Sequence, residues 1–102
     1  MSDDREGVRA EIEAARRTID DLDEQIVRLL SCRAARVQQI GRAKRRLGES
    51  IYQPEREEKI FKRVIAANDG PLDDNALRRL FERILDEARR LERFTYDSDE
   101  AE

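Results

Sequence analysis

Residues Val8 to Leu47 carry a seven-residue apolar repeat that no proline interrupts. One register holds Ile12, Ile19, Ile26, Ile40 and Leu47, and the interleaved register holds Ala15, Leu22, Leu29 and Ala43. This pattern is typical of a long packed helix, predicted over residues 8–47 and ended by Gly48. Gly41 lies inside it and costs about 1 kcal/mol in a helix, which indicates close approach of a neighbouring backbone.

Two shorter helices follow. Pro54 suits the first turn of a helix over residues 54–68, and the run Asn68-Asp69-Gly70-Pro71 breaks that helix. Asp73 is a good N-cap for a third helix over residues 73–94, which carries a continuous apolar stripe. Because no segment alternates like a strand, we expect an all-α fold with a three-helix protomer.

The length of the first helix bears on assembly. Two helices of about 24 and 33 Å cannot cover a helix of about 60 Å, so its free apolar face requires a second chain. An intertwined homodimer is the simplest closed arrangement. A parallel coiled-coil rod is less favoured, since Arg33 and Arg36 occupy register positions that Ile and Leu hold elsewhere.

The composition indicates one small domain in a chain of 102 residues, 44% of them charged and 38% apolar. No uncharged stretch is long enough for a membrane span or a signal peptide, so we expect a cytoplasmic protein. We assign residues 1–7 to an N-terminal tail, residues 8–96 to the domain, and residues 97–102 to a disordered acidic tail.

The chain contains no histidine and one cysteine, Cys32. It therefore has no imidazole base, no Ser/His/Asp triad, no internal disulfide and no thiolate or histidine metal site, although carboxylate-bound magnesium stays open. Any catalysis must rest on Arg, Lys, Glu, Asp and positioned dipoles.

Charge is unevenly distributed. Met1–Gln25 holds nine acidic and four basic residues, whereas Arg28–Gly48 holds seven basic residues and no acidic one. Arg33, Ile40 and Lys44 fall within about 20° of one line on the helix. Burying an unpaired charge is costly, so these cations require an anion, which could be a protein carboxylate or a ligand.

Three more charged residues stand out. Arg56 and Glu57 lie in the first turn of the second helix, where the dipole disfavours Arg, so Arg56 faces either a ligand or solvent. Glu92 comes eleven residues after Phe81, at the edge of the apolar stripe. It is either part of a site or a solvated residue at a fraying helix end.

These residues form an ordered pattern. It runs Arg16-x-x-Ile19-Asp20-x-Leu22-Asp23-x-x-Ile26-x-x-Leu29-Leu30-x-x-Arg33, then Ile40-Gly41-x-Ala43-Lys44, then Pro54-x-Arg56-Glu57. From about Arg16 to Glu92 the chain resembles the all-helical chorismate mutases. The resemblance implies an intertwined dimer that rearranges chorismate to prephenate in phenylalanine and tyrosine biosynthesis, with no cofactor, no metal and no covalent intermediate.

The resemblance also implies roles for individual side chains. Arg33 and Arg56, with Arg16 of the partner subunit, would hold the two substrate carboxylates. Lys44 would bond a carboxylate and the ether oxygen that gains negative charge as the C–O bond breaks. Bidentate guanidinium groups suit such carboxylates, and donors already in place suit the developing charge.

Further positions agree with the family or depart from it. Glu57 would accept from the ring hydroxyl. Gln53 stands where some members have an Asp that helps to hold this hydroxyl, and Ala88 replaces a Ser that contacts a carboxylate in some members. Glu92 would face the ether oxygen and must be protonated to donate, since an ionised carboxylate only accepts. We therefore expect turnover to rise toward acid pH.

Other functions stay open at this point. Isochorismate pyruvate lyases and mutases of an amino analogue of chorismate resemble the same pattern. A nucleic-acid-binding or purely structural helical dimer is less favoured because the net charge is −3 and aromatic residues are few. We expect no nucleic-acid or membrane partner, whereas the synthase that opens the shikimate pathway stays open as a partner.

Overall fold

The computed structural model describes residues 4–98. It contains three helices, α1 (Arg5–Leu47), α2 (Pro54–Ala66) and α3 (Asp74–Ser98). Residues 4–98 include no strand, which confirms the predicted all-α class. Over the same residues, no helix has the length and apolar character that crossing a membrane requires.

The helix ends differ from the predicted ones by a few residues, and α2 ends at Ala66 instead of residue 68. α1 begins at Arg5 instead of Val8, so part of the expected tail over residues 1–7 is helical. α3 continues to Ser98, past the expected end at residue 94 and into the expected tail over residues 97–102. Residues 1–3 and 99–102 lie outside the described part, and the assignment of residues 8–96 to one domain stays a prediction.

Gly48 ends α1, as the sequence predicts. Its φ of 70° is the left-handed conformation that glycine adopts without strain. The Gly48 amide donates to the Arg45 carbonyl at 3.1 Å, and the Glu49 amide donates to the Lys44 carbonyl at 2.9 Å. These two bonds form a Schellman motif, which satisfies carbonyls that the helix end would otherwise leave unpaired.

Asp73 caps α3, also as predicted. Its carboxylate accepts from the Ala76 amide at 2.7 Å, and its carbonyl accepts from the Leu77 amide at 3.1 Å. An N-cap carboxylate satisfies one of the free amides of the first turn and is favoured by the helix dipole. The start of α3 is therefore determined locally.

The chain divides into two compact units, one that ends at Arg33 and one that begins at Ala34. The first unit is the N-terminal part of α1. Its large apolar side chains are exposed, between 41% for Leu30 and 69% for Leu29. The apolar row of this unit consists of Ile12, Ile19, Leu22, Ile26 and Leu29, each at least 45% exposed.

The second unit contains the end of α1 together with α2 and α3. Its buried apolar residues are Phe61 of α2 and Leu85 of α3, which are 8% and 5% exposed. The Arg78 guanidinium lies 4.1 Å from the centroid of the Phe61 ring, and this cation–π contact adds to the packing of α2 against α3.

At Gly41, the end of α1 packs closely against the α3 backbone. A Cβ at Gly41 would lie 3.2 Å from Glu92 Cγ and 3.3 Å from the Glu92 carbonyl oxygen. The close backbone approach that the sequence predicts at Gly41 is thereby confirmed. A side chain at this position would separate the two helices.

The substitution Gly41→Ala is expected to lower the free energy of unfolding by about 1 kcal/mol, because overpacking against a helix backbone outweighs the gain in helix propensity. Urea denaturation followed by circular dichroism measures it. The control is Gly7→Ala, on the same helix, where the new methyl meets only the Asp4 side chain. Equal stability changes for the two variants would contradict the steric role of Gly41.

Candidate functional site

Lys44 and Glu92 form a buried ion pair between α1 and α3. Lys44 Nζ donates to Glu92 Oε2 at 2.8 Å, and the two side chains are 11% and 13% exposed. Lys44 lies one turn after Gly41, on the same face of α1. The Glu92 backbone packs closely against Gly41, so the pair forms beside this close contact between the two helices. For Lys44, the partner that the sequence left open is a carboxylate of the same chain.

Glu92 is not a solvated residue at a fraying end, and that interpretation is wrong. α3 continues beyond it to Ser98, and the next turn includes Thr95, which is only 6% exposed. Arg45 also donates to the Tyr96 carbonyl at 2.6 Å. These contacts hold the C-terminal part of α3 against the end of α1, so Glu92 lies within a continuous helix and its own side chain is largely buried.

A second pair joins α2 to α3. Arg89 Nη1 donates to Glu57 Oε2 at 2.5 Å, and Arg89 Nη2 donates to Oδ1 of Asp86, one turn earlier on α3. The hydrogen bond to Glu57 and the charges of both carboxylates raise the pKa of Arg89 above its ordinary value, and they outweigh the opposing effect of burial. One guanidinium thus links two carboxylates.

The two pairs are neighbours along α3. Arg89 and Glu92 are three residues apart and share a face of the helix, and Ala88 lies one turn before Glu92 on the same side. Ala88 is half-buried. Hence Lys44 and Glu57, which lie on different helices and 13 positions apart in sequence, both pair with this face.

Gln53 and Arg56 lie at the start of α2 and are both exposed. Gln53 occupies the N-cap position, yet its side chain makes no capping hydrogen bond. Arg56 takes part in none of the ion pairs formed within residues 4–98. An amide and a guanidinium are therefore available to a ligand close to Glu57, one residue further along α2.

Arg16 and Arg33 belong to the first unit. Arg33 is half-buried. Arg16 is exposed and pairs one turn away with Glu13 at 2.7 Å, with side chains 67% and 58% exposed. A pair as exposed as this one is worth little, so it leaves Arg16 able to bind another anion. The roles of both arginines stay predictions.

The second unit combines groups suited to a hydroxylated anion. Lys44 carries three N–H donors, and Glu92 uses one of them. Glu57 is an acceptor held by a cation, and Arg56 is a donor fork for a carboxylate. Within residues 4–98, no cluster of His, Cys, Asp and Glu could hold a metal ion.

Arg89 and Asp86 are the residues that sequence reasoning missed. A signal for Arg89 was present, because its spacing of three residues from Glu92 and four from Leu85 places it on the same side of α3 as both. Its partner Glu57 could not be named, since a contact across 32 positions depends on the packing of α2 against α3.

Comparison with known proteins identifies the family. Residues 15–93 match the sequence pattern of chorismate mutase type II. The bifunctional chorismate mutase/prephenate dehydratase of Pseudomonas aeruginosa is 39% identical over 87 residues, which cover 80% of this chain and 24% of that protein. The protein of the same name from Aquifex aeolicus is 33% identical over 87 residues, which cover 81% of this chain and 24% of its own length. The chain thus spans less than a third of either relative.

A solved structure extends the likeness to the fold. The chorismate mutase (form II) of Thermus thermophilus superposes with a TM-score of 0.79 at 40% identity, and the match covers 81% of this chain and 94% of that one. The family pattern and this structural match agree, and the chain belongs to the chorismate mutase type II family.

Proposed function

We propose that the protein is a chorismate mutase, which rearranges chorismate to prephenate. In this [3,3] rearrangement the ether C–O bond breaks as a C–C bond forms, and no atom enters or leaves. Such a reaction needs a folded substrate and stabilised charge, and it needs no nucleophile, so it suits a chain without histidine. The observation that carries the proposal is the buried Lys44–Glu92 pair within a chain of this family.

Lys44 is the residue we assign to the ether oxygen. Its Nζ is held by Glu92 through one donor, and two donors stay available for a substrate carboxylate and for the oxygen that becomes negative. Because the Lys44 side chain is only 11% exposed, little water competes with these bonds. A donor fixed before the reaction stabilises the transition state without reorganisation.

Arginines are assigned to the two carboxylates of chorismate. Arg56 supplies an exposed guanidinium at the start of α2, and Arg33 is half-buried on α1. Together with Arg16 of the partner subunit, they would hold the dianion in the compact geometry that the rearrangement requires. Glu57 would accept from the ring hydroxyl, with the Gln53 amide beside it.

A second copy of the chain is the partner we assign to the first unit. The apolar row from Ile12 to Leu29 is exposed by 45% or more at each member given above, and an apolar face of this length is unfavourable in water. A twofold dimer would cover it and bring Arg16 to the partner's site. The first synthase of the shikimate pathway would dock at the connection from Gly48 to Gln53, where Tyr52 is exposed, or at the tail after Leu91.

Purified protein is expected to convert chorismate to prephenate, and Lys44→Ala is expected to lower kcat/KM by about 10²- to 10³-fold through loss of the oxyanion donor. Chorismate consumption is followed by absorbance, with and without the synthase, and circular dichroism confirms folding. Lys62→Ala, an exposed lysine of α2, is the control and should match the wild type. Release of pyruvate from isochorismate without any chorismate turnover would overturn the proposal.

Mixed dimers test the shared site. Arg16→Ala and Lys44→Ala proteins are each expected to be nearly inactive alone. After unfolding and refolding together, half of the dimers combine the two chains, and one of their two sites is complete. Activity should therefore recover to about a quarter of the wild-type value. Absence of recovery, with dimers confirmed by light scattering, would contradict a contribution of Arg16 across the interface.

The pH dependence tests Glu92. A protonated carboxyl can donate to the ether oxygen, whereas the ionised form only accepts, so wild-type kcat should rise as pH falls. In Glu92→Gln the amide donates at every pH, so kcat should vary less and exceed the wild-type value at neutral pH. Glu87→Gln, an exposed glutamate on the same helix, should keep the wild-type profile. Identical profiles for wild type and Glu92→Gln would remove Glu92 from the reaction.

A further inference from the structure

We propose that Arg89 is a positioning residue, which holds the Glu57 carboxylate for the ring hydroxyl of the substrate and so sets the preference for a substrate that bears this hydroxyl. This inference rests on the proposed function. It assigns a role to the linked side chains of Asp86, Arg89 and Glu57, which span α3 and α2.

The geometry fixes the guanidinium at two points. Nη1 of Arg89 donates to Glu57 at 2.5 Å, and Nη2 donates to Asp86. Because the guanidinium is planar and rigid, two bonds to different nitrogens fix both its position and its plane. Asp86 lies one turn before Arg89 on α3, so the anchor is part of the same helix. The Glu57 carboxylate is therefore held from a rigid element.

The bond also leaves the carboxylate open on one side. Arg89 engages Oε2 of Glu57, and no hydrogen bond within residues 4–98 uses Oε1. An ionised carboxylate accepts through both oxygens. With one oxygen bound to Arg89, the other is oriented and available to accept from a hydroxyl. The Glu57 side chain is 29% exposed, so a ligand can reach it.

Charge gives a second reason for a cation at this place. The proposed substrate is a dianion, and a free carboxylate beside it would be repelled. Arg89 offsets the charge of Glu57, which lets an ionised acceptor lie next to two substrate carboxylates. Arg89 itself stays charged at any pH at which the enzyme operates, since a guanidinium does not lose its proton in proteins. The positive charge beside Glu57 is therefore constant over that range.

A purely structural tie between α2 and α3 is the alternative role for this contact. Such a tie would change stability and overall activity, and it would affect all substrates alike. A positioning role predicts more, namely that the loss depends on the hydroxyl. The ratio of kcat/KM values for two substrates that differ only in this hydroxyl separates the two roles, because a general loss of folded protein cancels in the ratio.

The experiment compares chorismate with its analogue that lacks the ring hydroxyl. In the wild type the analogue is expected to have a kcat/KM about 10- to 100-fold lower, as for loss of a hydrogen bond to a charged acceptor. Arg89→Met should reduce this preference about tenfold, toward that of Glu57→Gln, and the double variant should be no worse than Glu57→Gln. Arg89→Lys, which keeps the charge, should restore part of the preference.

The control is Arg90→Met, which removes the same charge one residue away. Arg90 is 74% exposed and pairs only with Glu87 of its own helix among residues 4–98, so the wild-type preference should persist. Should Arg89→Met not fold, Asp86→Ala removes the anchor instead and should reduce the preference by a smaller factor. An unchanged ratio in Arg89→Met, or in Asp86→Ala where that replaces it, would overturn the inference. Lack of any chorismate turnover by the wild type would overturn the proposed function itself.

Discussion

The ion pair between Lys44 and Glu92 depends on the absence of a side chain at Gly41. Gly41 has no Cβ, and a Cβ there would lie 3.3 Å from the Glu92 carbonyl oxygen. That clearance lets α3 approach α1 closely enough for a lysine one turn later to reach Glu92 at 2.8 Å. Desolvating two charges is expensive, and the short bond between them offsets part of that cost. The rest of the site lies around this contact.

One side of α3 bears residues of two kinds. Leu85 is buried, whereas Arg89 and Glu92, on the next turns, each pair with a charge from another helix. The face thus changes from a packing surface to a polar one within two turns. This side of α3 therefore contributes both to the apolar core and to the ion pairs that join the three helices.

Local chemistry explains which parts of the fold could be predicted. Gly48 and Asp73 act on their own neighbours, through a Schellman motif and an N-cap, so their effects are readable from sequence. The predicted end of α3 was several residues too early, because no glycine or proline follows Leu91 to mark the end in the sequence. The last turn is held instead by a contact from α1. Arg45, which donates to the Tyr96 carbonyl, is 51 positions away.

The candidate site could likewise be predicted only in part. That Lys44 requires an anion follows from its place on the helix, but the identity of the anion does not, because Glu92 is 48 positions distant. Arg89 was overlooked because helical spacing shows that it shares a side of α3 with Glu92, and does not show which residue of another helix it contacts. Residues that act through one partner on another element are the least visible in a single sequence.

The end of α1 gives Lys44 a second task. Its side chain pairs with Glu92, while its carbonyl accepts the amide of Glu49, the second residue after the helix. The backbone of the connection between α1 and α2 is thus hydrogen-bonded to Lys44, whose ammonium group pairs with α3. A residue inserted at the beginning of that connection would break the bond to the Lys44 carbonyl, unwind the final turn of α1 and shift the ammonium group. The position of the Lys44 side chain therefore depends on the length of this loop.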